Sequence, residues 1–162
     1  MIFIKIKRDE RMNSANCDKP SEIIKRKLFE NGGSANIYLL NGKPCNVMMF
    51  DNGSFFSSDK LNKYNYKFEF KVFDDIVDLL KESPNKTAKK GNGHGKEDKV
   101  GYGKCTPDTV LGAIAIRYFK KSFGESTIDP VFVLVAILDW AGIAKNRRGY
   151  VELIWYIKNN NL

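Results

Sequence analysis

Apolar residues recur along this chain with two periods, and the switches between them mark its elements. Ile2, Ile4 and Ile6 alternate with Lys5 and Lys7, the pattern of a half-buried strand. Residues 8–20 are polar and predict a loop. Ser21 stands where a helix cap belongs, ahead of Ile23, Ile24, Leu28 and Phe29, and Gly32-Gly33 ends that helix. Residues 36–40 and 46–50 are apolar runs around Asn41-Gly42, a pair that tolerates the positive φ of a hairpin turn. Asn52-Gly53 repeats the signal before a strand at 54–57. Tyr66, Phe68, Phe70 and Val72 alternate with Lys67, Glu69, Lys71 and Phe73, which predicts a strand over 66–73. Asp74 can then cap a helix over 75–82, whose stripe is Ile76, Val77, Leu79 and Leu80.

The pattern changes in residues 83–104, which are rich in Gly and Lys. Beyond them, Thr106-Pro107-Asp108 is a helix start, with a hydroxyl cap, proline at the first helical position and acid in the first turn. That helix is expected to run to Phe123 and stop at Gly124. Asp129-Pro130 opens another helix, ended by Gly142. Its body, 131–140, is apolar on nearly every side and should lie centrally; it is rich in β-branched residues, but the cap pair and the terminal glycine favour helix over strand. Arg147-Arg148-Gly149 turns into a strand over 150–157. The fold class expected is α+β: a strand-rich half with two short helices (1–82), a basic Gly/Lys joint (83–104) and a helical half closed by a strand (105–162). The halves can also pack as one domain.

Composition narrows the class. At 162 residues and 43% hydrophobic, the chain can build a core without staples. Cys17, Cys45 and Cys105 are odd in number and far apart, with no CxxC pair, which argues against a disulfide framework or a zinc cage. No apolar block at the start resembles a leader peptide. The longest apolar run, 131–138, falls well short of the ~20 residues of a membrane span. A cytoplasmic location, in a bacterium or a phage-infected cell, is expected, without a membrane partner.

The formal net charge is +8, which suits an anionic partner: nucleic acid or an acidic protein surface. Six lysines against Glu97 and Asp98 leave the joint at +4, half of that total. With Gly91, Gly93, Gly95, Gly101 and Gly103, it reads either as a mobile arm that tracks phosphates or as a solvated linker. It is not a Walker loop, because GxxxxGK followed by Ser or Thr is absent. His94 is the only histidine, which excludes HExxH proteases, two-histidine phosphoesterases and HNH nucleases. No GxSxG elbow is present.

Glu69-Phe70-Lys71, with an acid upstream, resembles the acid-x-Lys signature of the PD-(D/E)XK nuclease superfamily, and the order of elements over 21–82 resembles that family's core. The resemblance implies that Asp51 (Asp59 as second choice) and Glu69 hold Mg²⁺ while Lys71 orients the attacking water. As a plain strand, the same residues are a solvated face paired across a sheet. Mg²⁺ belongs to this reading alone; no cofactor is expected otherwise.

Residues 131–157 resemble the last helix and wing of winged-helix DNA-binding domains: an apolar helix, Ala141-Gly142-Ile143, a basic stretch, then Arg148-Gly149-Tyr150 with Leu153 in the returning strand. The resemblance implies that Lys145, Arg147 and Arg148 contact phosphates. Within 105–162 only two helices precede the wing, where that family has three, and 131–141 offers base edges little besides Asp139. Tyr150, Trp155 and Tyr156 read as core residues of the strand or as stacking platforms.

Three functions follow. The first is a non-enzymatic nucleic-acid-binding protein, a regulator or mobile-element accessory factor, with Lys89, Lys90, Lys96, Lys145, Arg147 and Arg148 on phosphates. The second is the metal-dependent nuclease. The third is an inhibitor that binds a protein or a signalling nucleotide.

Overall fold

The structure is a computed structural model and describes residues 19–154. The expected strand at 2–6 lies outside them, as do Cys17, Trp155 and Tyr156. The α+β class holds.

Four strands, β1 (Ser34–Tyr38), β2 (Pro44–Phe50), β3 (Phe55–Ser58) and β4 (Phe68–Glu69), form an antiparallel sheet in that order. Alternation puts Ala35, Ile37, Cys45 and Val47 into the core and leaves Asn36 and Tyr38 outside. The Asn41-Gly42 hairpin forms as expected, with Tyr38 opposite Pro44. At Asn52-Gly53 the chain instead makes a longer turn, with Phe50 opposite Phe55. Helix α1 (Pro20–Glu30) packs on β1 and β2, burying Ile24 and Leu28.

The expected strand over 66–73 is only two residues long. Helix α2 (Lys71–Glu82) starts three residues before the expected cap. The reason is that Phe70, Val72, Phe73, Ile76 and Val77 satisfy the helical period, whereas a strand would send the neighbours Val72 and Phe73 to opposite faces. Once Phe73 as well as Val72 must be buried, only the helix places both in the core. The two residues read as helix caps bond to each other instead. The Ser21 backbone N–H and hydroxyl both donate to the Asp74 carboxylate, at 2.9 and 2.8 Å, and so tie α1 to α2.

The second sheet has the order β5–β7–β6. It is built from β5 (Thr87–Lys89), β6 (Ala144–Asn146) and β7 (Tyr150–Leu153). Helix α3 runs Val110–Ala113 and continues as a π-helical turn, Ile114–Tyr118. It ends five residues before the expected stop, where Tyr118 and Phe119 join Tyr66 and Phe68 in an aromatic cluster. Its cap is Thr109, which accepts from the Gly112 N–H, and not Thr106, whose hydroxyl donates to Asp108. Helix α4 (Val131–Trp140) is central, as its sequence requires. Val133 through Leu138 are all buried, packed against β1 and β6.

The stretch 83–104 is part of the packed fold. It supplies β5, buries Ala88 and Val100, and belongs to a hydrophobic core continuous from Ile24 to Leu153. Boundaries at 82 and 105 therefore cut through one core. At Gly91, with φ +73°, a Cβ would collide with the Lys104 carbonyl and the Thr109 side chain. That glycine serves close approach of two chain segments, and not slack.

Asp98 holds the loop shut. Its carboxylate accepts from the backbone N–H of Lys104 at 2.8 Å and of Gly95 at 3.0 Å. The Lys104 N–H bond above all lowers the pKa of Asp98 below the ordinary carboxylate value. A lowered folded pKa contributes stability above the unfolded value, lost as pH falls through the folded one. Asp98→Asn is accordingly expected to lower the melting temperature at pH 6, with the gap to wild type closing in acid below the ordinary Asp range. A gap that persists unchanged there would remove the carboxylate from this role.

Candidate functional site

The basic residues singled out in the sequence mostly converge, because β5 pairs with β7. Lys89 lies opposite Tyr150, and the Lys90 backbone N–H donates to the Gly149 carbonyl at 2.9 Å. Lys89 and Lys90 therefore sit beside the turn of the β6–β7 hairpin, which carries Lys145, Arg147 and Arg148. Two-strand pairing across the turn is closed by Arg147, whose N–H donates to the Tyr150 carbonyl. Lys96 stands apart, exposed in the turn that Asp98 closes.

One acid lies among these cations. Glu152 is opposite Lys145 in register, and its carboxylate is 3.4 Å from Arg147 Nε. Lys90 is half-buried, and burial lowers its pKa with no acid contributing. A cation so placed is stabilised by any anion that reaches it.

Two cavities meet at Lys90. One, of about 680 Å³, is lined by Lys89, Lys90, Gly91, Lys104, Thr109 and Gly149 among others. Lys104, which sequence reasoning did not place in the site, arrives through the Asn92 N–H bond to its carbonyl. The other, of about 650 Å³, lies between the β1–β2 hairpin and the β6–β7 hairpin and includes Lys90, Phe132, Asn146 and Arg148. Nothing in the sequence marked Asn146 or Phe132, since each acquires its place only when the two hairpins meet.

Helix α4 is not available to read base edges. Its flanks are occupied by β1 and β6, and its exposed side chain is Phe132. Asp139 is also engaged, accepting from the Asn146 N–H at 2.8 Å.

The acid-x-Lys constellation is not assembled. Glu69 is on β4, whereas Lys71 opens α2 and pairs with Asp75 at 2.9 Å, so the two do not share a strand face. Asp51 follows β2, on the far side of β3 from Glu69, and faces Lys67 at 3.7 Å. Asp59 instead accepts from the Asn46 N–H. Helix formation at 71 is what dismantles the motif. No group of three or more His, Cys, Asp or Glu side chains among the described residues is placed to hold a metal ion. No helix among them is long and apolar enough to cross a membrane.

What the fold and this site define is an α+β protein with a cationic hairpin edge flanked by two cavities. Comparison with protein-family models, curated proteins and solved structures finds no match to this chain.

Proposed function

We propose that the chain is a non-enzymatic nucleic-acid-binding protein that holds phosphates with Lys89, Lys90, Lys145, Arg147 and Arg148. The observation that carries the reading is the docking of Lys89-Lys90 beside the Arg147–Gly149 turn, which gathers five cations from two distant stretches on one three-stranded sheet. Lys96 is not among them.

The arrangement also favours a winged-helix plan. Three helices, α2, α3 and α4, precede the β6–β7 hairpin, and β5 pairs with the returning strand. The helix lacking from a count that begins at 105 is α2. The mode of binding differs from groove reading, however. With α4 buried, the contacts left to the protein are to the backbone, and these position without specifying sequence. A regulator or mobile-element accessory factor of the cytoplasm is the role this suits.

Phosphate neutralisation has a salt signature. Each neutralised phosphate of a single strand contributes roughly −0.7 to the slope of log K against log salt. Five cations, one shared with Glu152, predict a slope of about −3 in fluorescence anisotropy with a labelled oligonucleotide. A slope near zero, or no binding at low salt, would remove the nucleic-acid reading.

A further inference from the structure

Strand alternation divides the five cations between the two faces of the second sheet. Ala88, Val151 and Leu153 are buried on the inner face, where β5 and β7 pack against α2. Residues opposite one another in an antiparallel pair share a face. Thr87, Glu152 and Lys145 therefore form one row across the outer face, and Lys89 and Tyr150 begin the next. Arg147 completes that second row. Its N–H donates to the Tyr150 carbonyl, and its Nε lies 3.4 Å from the carboxylate of Glu152, which is on the same face. Lys90 and Arg148 instead line the cavity that also holds Phe132.

The outer face thus presents an aromatic ring with a cation on either side. Tyr150 is 41% exposed. Among the described residues its ring meets no other ring and no cation, and its hydroxyl makes no hydrogen bond. Side chains directly opposite across strands stand about 5 Å apart at Cβ, so the ring and both cations form one continuous surface. The Arg147–Glu152 contact is a surface ion pair, which yields to a phosphate at little cost. Glu152, in the row behind Tyr150, repels phosphate from that side and directs a polyanion along the Lys89–Tyr150–Arg147 row. Tyr38 supplies the contrast. It is 71% exposed on the first sheet, but its neighbours in register, Pro44, Asn36 and Asn46, carry no charge.

We propose that the outer face of the second sheet is a stacking platform for single-stranded nucleic acid. One unpaired base lies on the Tyr150 ring, and Lys89 and Arg147 hold the phosphates on either side of it. The inference rests on the phosphate-binding reading above and deepens it: the ligand is a strand with unpaired bases. Because every base has a π-face, the platform does not read their sequence.

The test measures three probes by fluorescence anisotropy: a 12-nucleotide oligodeoxycytidine, an abasic 12-mer of the same charge and a 12-base-pair duplex. The oligodeoxycytidine is expected to bind about tenfold tighter than the abasic strand, the magnitude of one stacked base. Tyr150→Ala is expected to cut that preference to about threefold or less. Its binding of the abasic strand and of the duplex, and its salt slope, should stay as in wild type, because the cations remain. Tyr150→Phe keeps the ring and should keep the preference, and so should Tyr38→Ala. Thermal melting checks that the variants fold; if Tyr150→Ala does not, Tyr150→Leu keeps bulk on the strand without a π-face and carries the test. Equal wild-type binding of the base-bearing and abasic strands overturns the platform and leaves the phosphate reading standing. A preference that survives loss of the ring overturns it too. An equal fall for all three probes in Tyr150→Ala assigns the ring to the structure of the turn and also overturns the platform. No binding of any probe overturns both readings.

Discussion

Gly112→Ala is expected to destabilise the protein by at least about 3 kcal/mol, the upper range for forcing atoms into a packed site. In an exposed helix the same change is stabilising by up to about 1 kcal/mol, because glycine has the greater backbone freedom to lose. The sign reverses here because Gly112 is buried in α3 and its missing Cβ faces the Thr106 carbonyl, well inside contact distance, with the Cys105 carbonyl close behind. These are backbone atoms and cannot swing aside. Relief would require moving the 105–109 turn, which carries buried Cys105 and the Thr109 cap. A fall in melting temperature of roughly 10 °C is the corresponding readout for a chain of this size. An unchanged or raised melting temperature would show that the turn yields freely, and that the approach of 106 to 112 is not a packing constraint.

The second large effect is on binding. Arg147→Glu with Arg148→Glu is expected to weaken oligonucleotide binding about a hundredfold near 0.1 M salt. Each lost phosphate contact is taken as about tenfold, or ~1.4 kcal/mol, with the new carboxylates adding repulsion. Folding should be little affected, because both side chains are exposed. Breaking the Arg147–Glu152 pair removes only a surface ion pair, the kind that is worth little. The salt slope should flatten in the same variant, since fewer counterions are released. If the double variant binds as wild type does, with the same slope, the hairpin is not the phosphate contact.

The two predictions differ in how far they could be seen in the sequence. The Arg147-Arg148-Gly149 turn is legible because its signal is local: two cations and a glycine between an apolar helix and an alternating strand. Gly112 carries no local signal. It sits in a run of helix formers, and only the path of residues 105–109 across its open side makes it indispensable. The nuclease motif is the converse case, a local pattern undone by tertiary structure. Glu69 and Lys71 share a strand face only if the strand continues. The core instead demands both Val72 and Phe73, and a helix meets that demand.

The sequence by itself determined the α+β class, the buried position of α4, the Asn41-Gly42 hairpin and the positive charge of the joint and turn. These follow from periodicity, turn chemistry and charge, properties of residues near one another in the chain. Only the tertiary structure decided that Ser21 and Asp74 join two helices and do not cap them, and that residues 83–104 are woven into a sheet. It also brought Lys89 and Lys90 to the hairpin, and set Asn146 in the walls of two cavities. Each of these rests on a partner tens of residues away. A three-residue strand such as β5 has no periodicity of its own; what defines it is the hydrogen bonding offered by β7.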